Sequence, residues 1–367
     1  MRTTAYTIGL PVGPSLSRGL VLAGSDSGYL YALEAETGTL VWSRYLWNMA
    51  MVNPLVVGQT VFATTGNPFY SGTEAAKLAA GERATRGPGL NGLYALDLAT
   101  GAERWHVFTP GQNMPTPVVG DGAVYFASGD GFVRAVDANS GELRWKTDVK
   151  ANDGMSSLLL VDGRLFFGGS RPDLFVALDA RDGKQLWTRA FASPTPAGFG
   201  AATAAFGGGN VLVEELVETG DPQGPVANRL FALDPSTGDT VWERELGRGP
   251  RPKGFAAATP TVVDSVVYVS SIVDGTTHAL DVKDGRLRWT TKVPGAGAGL
   301  VVADHRVYVA AGSRLFALDR ETGHARGTLT VGGHQGPATP LLAGETLMVT
   351  NMYGWVQAFP TSAFRAP

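Results

Sequence analysis

The chain has 367 residues, with Lys+Arg 30 against Asp+Glu 33 and 44% hydrophobic residues. So even a balance, with no long run of one sign, argues against electrostatic capture of nucleic acid or of an anionic membrane. The absence of cysteine excludes disulfides, thiolate nucleophiles, Cys-ligated zinc, c-type haem and a lipidated lipobox cysteine within these residues.

At the N-terminus, Met1 to Ile8 shows no basic region followed by an apolar run. No stretch approaches the ~18 consecutive apolar residues of a membrane helix. These features predict a soluble chain without membrane insertion, cytoplasmic as written, and periplasmic or extracellular if a leader precedes it. Further along, one pattern recurs: Ala-x-Asp-x-x-x-Gly-x-x-x-Trp. It spans Ala32 to Trp42 (with Glu34 for Asp), Ala95 to Trp105, Ala135 to Trp145, Ala177 to Trp187, Ala232 to Trp242 and Ala279 to Trp289. A seventh copy begins at Ala317 and keeps Asp319 and Gly323, but has Gly327 where the Trp should stand. A degenerate eighth survives as Val356 to Phe359.

Each copy has a physical reading. Alternating residues before the Asp form a strand with one buried face. The Asp accepts backbone N–H bonds in the turn, the Gly supplies positive φ, and the resumed strand carries the Trp. Two more short strands precede each copy, as in Ala123 to Ala127 before Phe132 to Ala135. Each unit is then a four-stranded antiparallel meander, which cannot bury both faces alone and must stack radially. The last unit stops after its third strand, near Pro360, and Arg2 to Ile8 is the expected donor of its fourth. The prediction is an all-β, eight-bladed β-propeller, a single domain over 1–367 closed by the N-terminal strand and expected to be a monomer. The Trp-less seventh copy keeps seven blades as the alternative.

The repeat resembles that of the PQQ-like, or quinoprotein-type, propeller family over essentially the whole chain. WD40 features are absent, since no Gly-His precedes the motif and no Trp-Asp ends it. The resemblance implies a fold shared by quinoprotein dehydrogenases, BamB-like assembly factors and other bacterial propellers, and BamB describes the architecture rather than the pathway.

Motif glycines Gly38, Gly101, Gly141, Gly183, Gly238, Gly285 and Gly323 are spaced by 63, 40, 42, 55, 47 and 38 residues. The two long gaps predict insertions between second and third strands, Gly66 to Gly92 in blade 2 and Glu214 to Asn228 in blade 5. Within the first, Ser71-x-x-Glu74 reads as a capping box opening a helix through Lys77 to about Arg83. Strand alternation puts both insertions on the face where interblade linkers converge on the central channel. Those linkers carry Trp47-Asn48-Met49, Gln112-Asn113-Met114, Asn152-Asp153-Gly154, Arg251-Pro252-Lys253 and His334-Gln335. Asp153 and His334 belong to linkers four blades apart and are expected to face each other across the channel. A wet channel mouth without chemistry would look the same.

One fragment invites a cofactor reading. Thr65-Gly66-Asn67-Pro68 resembles the segment whose Asn helps hold Ca²⁺ in quinoprotein alcohol dehydrogenases. The next linker, Thr109 to Met114, lacks the acid that those enzymes carry there, and their vicinal cysteine pair is missing. The expectation is therefore no cofactor and no metal, with Asn67 a turn residue at the start of the insertion. Of the histidines, His106, His278, His305, His324 and His334 show no ligand spacing. His278 replaces an aromatic in a strand and reads as structural. Glu214-Glu215 ends an apolar strand, either as the solvent-facing start of a loop or as a carboxylate at the channel mouth.

Two functions fit these residues. The first is a binding scaffold that engages a protein partner or small ligand through the funnel and the insertion-bearing face, with Trp47, Asn48, Asn67, Gln112, Asn113, Asn152, Phe199, Phe255 and Gln335 as ligand-binding candidates. The second is a cofactor-independent enzyme of the cyclase or lyase type acting on a small hydrophobic substrate. There Trp47, Met49, Met114, Phe199 and Phe255 would form an apolar wall, and Asp153, His334, Arg251 and Lys253 would supply acid, base and charge stabilisation.

Overall fold

The computed structural model describes residues 13–50, 53–153, 156–170, 173–191, 203–221, 224–251, 259–333, 339–351 and 355–365. Eight antiparallel sheets follow one another along the chain. Blade 1 is built from Ser15–Ser17, Leu20–Gly24, Tyr29–Glu34 and Leu40–Tyr45, and each later blade repeats that order outward from the axis. Innermost strands touch those of adjoining blades, and Ser15–Ser17 of blade 1 meets both Leu55–Val57 of blade 2 and Leu341–Ala343 of blade 8. Eight blades is therefore the observed number. Blade 8 shows three strands, and the closing strand expected from Arg2 to Ile8 lies outside the described residues.

The motif builds the junctions between blades. Its Asp side chain caps the hairpin, as where Asp97 Oδ1 accepts from the N–H groups of Ala99 and Thr100, each at 3.1 Å. Its Trp leaves its own blade and lies on the motif glycine of the next. A Cβ on Gly101 would sit 2.6 Å from the Trp42 ring, and one on Gly285 would sit 2.6 Å from Trp242. These glycines have φ near +70°, so their turn and their neighbour both exclude a side chain. Each indole N–H donates to a carbonyl of the following blade: Trp42 to Leu98 at 2.9 Å, Trp145 to Ala180 at 3.0 Å and Trp289 to Arg320 at 2.9 Å.

Blade 7 has Gly327 at the Trp position, and the vacancy is filled from elsewhere in the chain. After the last strand, Val356–Pro360, a short 3-10 turn brings the C-terminal segment back along blade 7, where Arg365 and Thr328 form a bridge. A Cβ on Gly327 would lie 3.0 Å from Phe364 Cβ. The Phe364 ring is 5.3 Å from Tyr308, reproducing the Tyr268–Trp289 pair at 6.0 Å in blade 6. Between blades 8 and 1, the motif glycine Gly38 meets no aromatic ring among the described residues. It borders a groove of about 210 Å³ lined by Val21, Leu33, Met348 and Val356.

The two predicted insertions differ in kind. In blade 2 a helix, Gly72–Ala79, starts at Ser71, whose hydroxyl accepts from Glu74 N–H at 3.3 Å. It ends short of Arg83 because Gly81 turns at φ +76°. Glu74 reaches Lys77 and the N–H of Thr85 instead of closing a capping box. In blade 5 most of the extra length is strand. Asn210–Glu218 and Val226–Leu233 form an extended hairpin, so the loop proper is confined to 219–225.

Candidate functional site

The site is built where second strands end and interblade linkers begin. Strand register makes the eight blades directly comparable, because the residue opposite the second position before the motif Ala is defined in each. At that position stand Gly24, Thr64, Ala127, Gly168, Ser270, Ala310 and Thr350, all small, whereas blade 5 places Glu214 there. The following position holds Ser25, Thr65, Ser128, Gly169, Ser271, Ala311 and Asn351, against Glu215 in blade 5. Both carboxylates are buried, at 2% and 5% exposure. They are not a solvent-facing start to a loop.

The other blades show which way these side chains run. Thr64 Oγ1 donates to Pro115 O in the linker after its blade, and Ser128 Oγ donates to Gly111 O in the linker before it. In blade 5, Glu215 Oε1 accepts from Leu216 N–H at 3.0 Å, and a linker runs on either side of the blade. Those linkers carry Phe199, Lys253 and Phe255, and all three lie outside the described residues. Arg251 is described: it grips Glu218 through two bonds of 2.8 and 2.9 Å, holding that carboxyl below its ordinary range and tying the linker to the long hairpin.

Gln112 and Asn113 do not line an open funnel. Both are fully buried, because the blade 2 insertion folds over their linker. Arg86 N–H donates to Gly129 O at 2.8 Å while Gln112 N–H donates to Arg86 O at 3.0 Å, which stitches the insertion to blade 3. Arg83 adds an ion pair to Asp148 at 2.9 Å, and Asp148 is held down at about 2 despite partial burial, by Lys150 and by Arg83. Met114 is also buried. Asn67 accepts from Phe69 N–H at 3.2 Å, a turn contact at the mouth of the insertion.

On blade 1, Trp47 is 61% exposed and has φ +67°, unusual for a bulky residue. Its ring lies edge-on to Tyr45 at 5.6 Å, and Tyr45 is 5.2 Å from Tyr29, so three exposed aromatics share one rim. Asn48 holds the rim to the insertion by donating to Asn91 Oδ1 at 2.9 Å. Asn152 and Asp153 pair through their backbones with Ser170 and Gly169, which fixes where their linker enters blade 4. His334 and Gln335 lie outside the described residues, so the expected pairing of Asp153 and His334 across the channel has no geometry to report.

His278 lies between blades 5 and 6, where the same register position in blades 1 and 2 holds Tyr31 and Tyr94. Tyr94 donates to Leu46 O of the preceding blade, and the His278 imidazole bonds the backbone of Leu246 in the equivalent way. Burial lowers its pKa to about 4. Among the described residues, no three His, Cys, Asp or Glu side chains converge as a metal site, and no helix is long and apolar enough to cross a membrane.

Comparison with known proteins places this geometry. A family model described as outer membrane protein assembly factor BamB matches residues 4–84, 90–325 and 229–362. Tetrathionate hydrolase of Acidithiobacillus ferrooxidans is 30% identical over 369 residues, covering 98% of this chain and 74% of that protein. Tetrathionate hydrolase of Acidianus ambivalens is 27% identical over 382 residues, covering 97% and 71%. The crystal structure of BamB from Moraxella catarrhalis superposes with a TM-score of 0.67 at 18% identity, covering 95% of each chain. The chain therefore belongs to the family of PQQ-like repeat propellers that the BamB model describes, with tetrathionate hydrolases among its relatives.

Proposed function

We propose that this propeller is a cofactor-independent hydrolase of polythionates, with tetrathionate as its substrate class. The observation that carries the reading is the match to two tetrathionate hydrolases along 98% and 97% of the chain. It replaces the hydrophobic substrate expected for a cyclase or lyase with a small dianion whose two ends are sulfonates. Hydrolysis needs only water and a base. The water oxygen bonds to a terminal sulfonate sulfur, and the adjoining S–S bond breaks with its electron pair on the departing disulfane monosulfonate. Both water protons pass to bases, leaving sulfate. Glu214 is the favoured base, because it is a buried carboxylate at a ring position that every other blade gives to a small residue. Arg251, at the same end of blade 5, is the favoured cation for a sulfonate.

The test is direct. Purified protein incubated with tetrathionate should consume it and release acid, both followed continuously at fixed pH. Unchanged tetrathionate under conditions where the protein is folded would retire the hydrolase reading.

One observation favours a second reading, that of a BamB-like scaffold: Tyr29, Tyr45 and Trp47 form an exposed aromatic rim of the composition found at protein interfaces. Saturable binding of a protein partner that Trp47→Ser abolishes would support it. Neither set of relatives supports the cytoplasmic location expected above, and the BamB name attaches to the outer membrane. An extracytoplasmic setting accordingly accompanies both readings.

A further inference from the structure

Among the described residues, the junction between blades 8 and 1 lacks two things that the six Trp junctions have. Val356–Pro360 shows no outer partner strand, and Gly38 meets no ring. Elsewhere the motif Ala pairs with the Trp position of the fourth strand, as Ala32 does with Trp42, Ala95 with Trp105 and Ala317 with Gly327. Ala358 is the blade 8 equivalent, and it is exposed where Ala32 and Ala95 are fully buried. An open strand edge thus runs beside the groove of about 210 Å³ at Gly38. Such an edge calls for one more strand, and the groove for one long side chain on it.

The lining of the groove states which side chain fits. Its walls include Val21, Leu33 and Met348, and its rim carries Glu34, Ala35 and Glu36. In the six Trp junctions the indole N–H donates to the carbonyl that follows the motif acid, on Leu98, Ala138, Ala180, Pro235, Val282 and Arg320. Ala35 holds that place in blade 1. The motif acid also differs here. Asp97, Asp137, Asp281 and Asp319 each pair with an Arg seven residues on. Val41 stands at that distance from Glu34, whose carboxylate accepts from the Thr37 hydroxyl at 2.7 Å. An arginine answers both parts of the groove. Its methylene stem covers the apolar walls, and its guanidinium donates to the two carboxylates and to Ala35 O in place of an indole.

Chain length says which arginine. From the Trp position to the first strand of the next blade there are 13 residues from Trp42 to Leu55 and 13 from Trp105 to Val118. The count is 14 from Trp145 to Leu159 and from Gly327 to Leu341, and 12 from Trp289 to Val301, which pairs with Tyr308. Only on either side of blade 5, with its long hairpin, does it rise, to 18 from Trp187 to Ala205 and 19 from Trp242 to Thr261. Thirteen residues before Ser15 stands Arg2, in the segment expected to close the ring and outside the described residues. We propose that Arg2 is the eighth wedge. Opposite Ala358, it lies over Gly38 with its stem in the groove and its guanidinium on Glu34, Glu36 and Ala35 O, so that the ring is fastened by an ion pair where six blades use an indole.

The chain has no cysteine, so a disulfide trap reads the register directly. With Arg2 opposite Ala358, antiparallel pairing sets Thr4 opposite Val356. Oxidation of the whole chain carrying Thr4→Cys and Val356→Cys should consume both thiols within one chain, whereas Thr3→Cys with Val356→Cys should stay reduced. A link in the Thr3 pair would put Met1 at the wedge position. A link between two chains would give the groove to a second copy, and no link in either pair would remove the segment from the groove. Each of these overturns the proposal. Melting curves test the charge: at low salt Arg2→Glu should lower Tm by about 2 °C, while Arg2→Trp, the residue that six blades use, should keep it. Equal Tm for wild type and Arg2→Glu overturns the ion pair even where the Thr4 pair links as expected.

Discussion

His278 makes the stability of this propeller depend on pH in the mildly acid range. Its imidazole is 7% exposed, Nε2 has no partner, and burial outweighs the favourable effect of Asp274, so the folded pKa falls from 6.5 to about 4. A histidine with a depressed folded pKa must stay neutral in the native state, whereas the unfolded chain takes up a proton below about 6.5. Stability is thus retained at neutral pH and lost as pH falls from 6.5 towards 4. At about 1.4 kcal/mol per pH unit, the loss by pH 4 is about 3 kcal/mol. The ionised turn aspartates do not confuse the measurement. Asp137 and Asp319 are held at about 2 by their Arg partners and turn N–H groups, so the stability they contribute is lost only below the unfolded value of 3.8. His278→Tyr restores the residue that blades 1 and 2 use. Urea unfolding of wild type and variant at pH 7 and pH 4.2 should show the variant gaining about 3 kcal/mol relative to wild type on acidification. A difference that does not change with pH would refute the assignment of a neutral buried imidazole.

Two further outcomes follow from the same packing. Phe364→Ala removes the ring that substitutes for the seventh Trp, and a half-buried aromatic of this size should cost about 2 kcal/mol in urea unfolding; a loss below about 0.5 kcal/mol would show that the C-terminal segment does not wedge blade 7. Trp47→Gly relieves a bulky residue at φ +67° and should raise stability by about 1 kcal/mol. A decrease in Tm would show instead that the contact with Tyr45 outweighs the backbone cost.

The blades were legible because their signal is local and repeated. The motif Asp, Gly and Trp lie within a few residues of one another, and each answers a need of one hairpin. What the Trp does next was not legible, since its partner glycine belongs to the following blade, 59 residues on from Trp42 to Gly101. The Phe364 substitution was hidden for the same reason: Gly327 reads as a lost residue until the chain end is seen to return. Glu214 drew attention as an acid closing an apolar strand, but its weight comes from register, because only alignment of eight second strands reveals small residues everywhere else. The blade 5 gap read as a loop because length alone does not distinguish a loop from a longer hairpin. Gln112 was singled out as a polar linker residue, and its enclosure could not be read without the insertion folded over it. His278 carried its signal in full, since a histidine in an aromatic strand position is buried by the same geometry as the tyrosines it replaces.

Acid release from tetrathionate by wild type beside Glu214→Gln and Glu215→Gln, each confirmed as folded by its melting curve, tests the hydrolase and its base together. Turnover is expected in wild type, with a loss of at least about a hundredfold in Glu214→Gln. Turnover that survives in Glu214→Gln would contradict the role of blade 5, and no turnover in wild type would contradict the hydrolase itself.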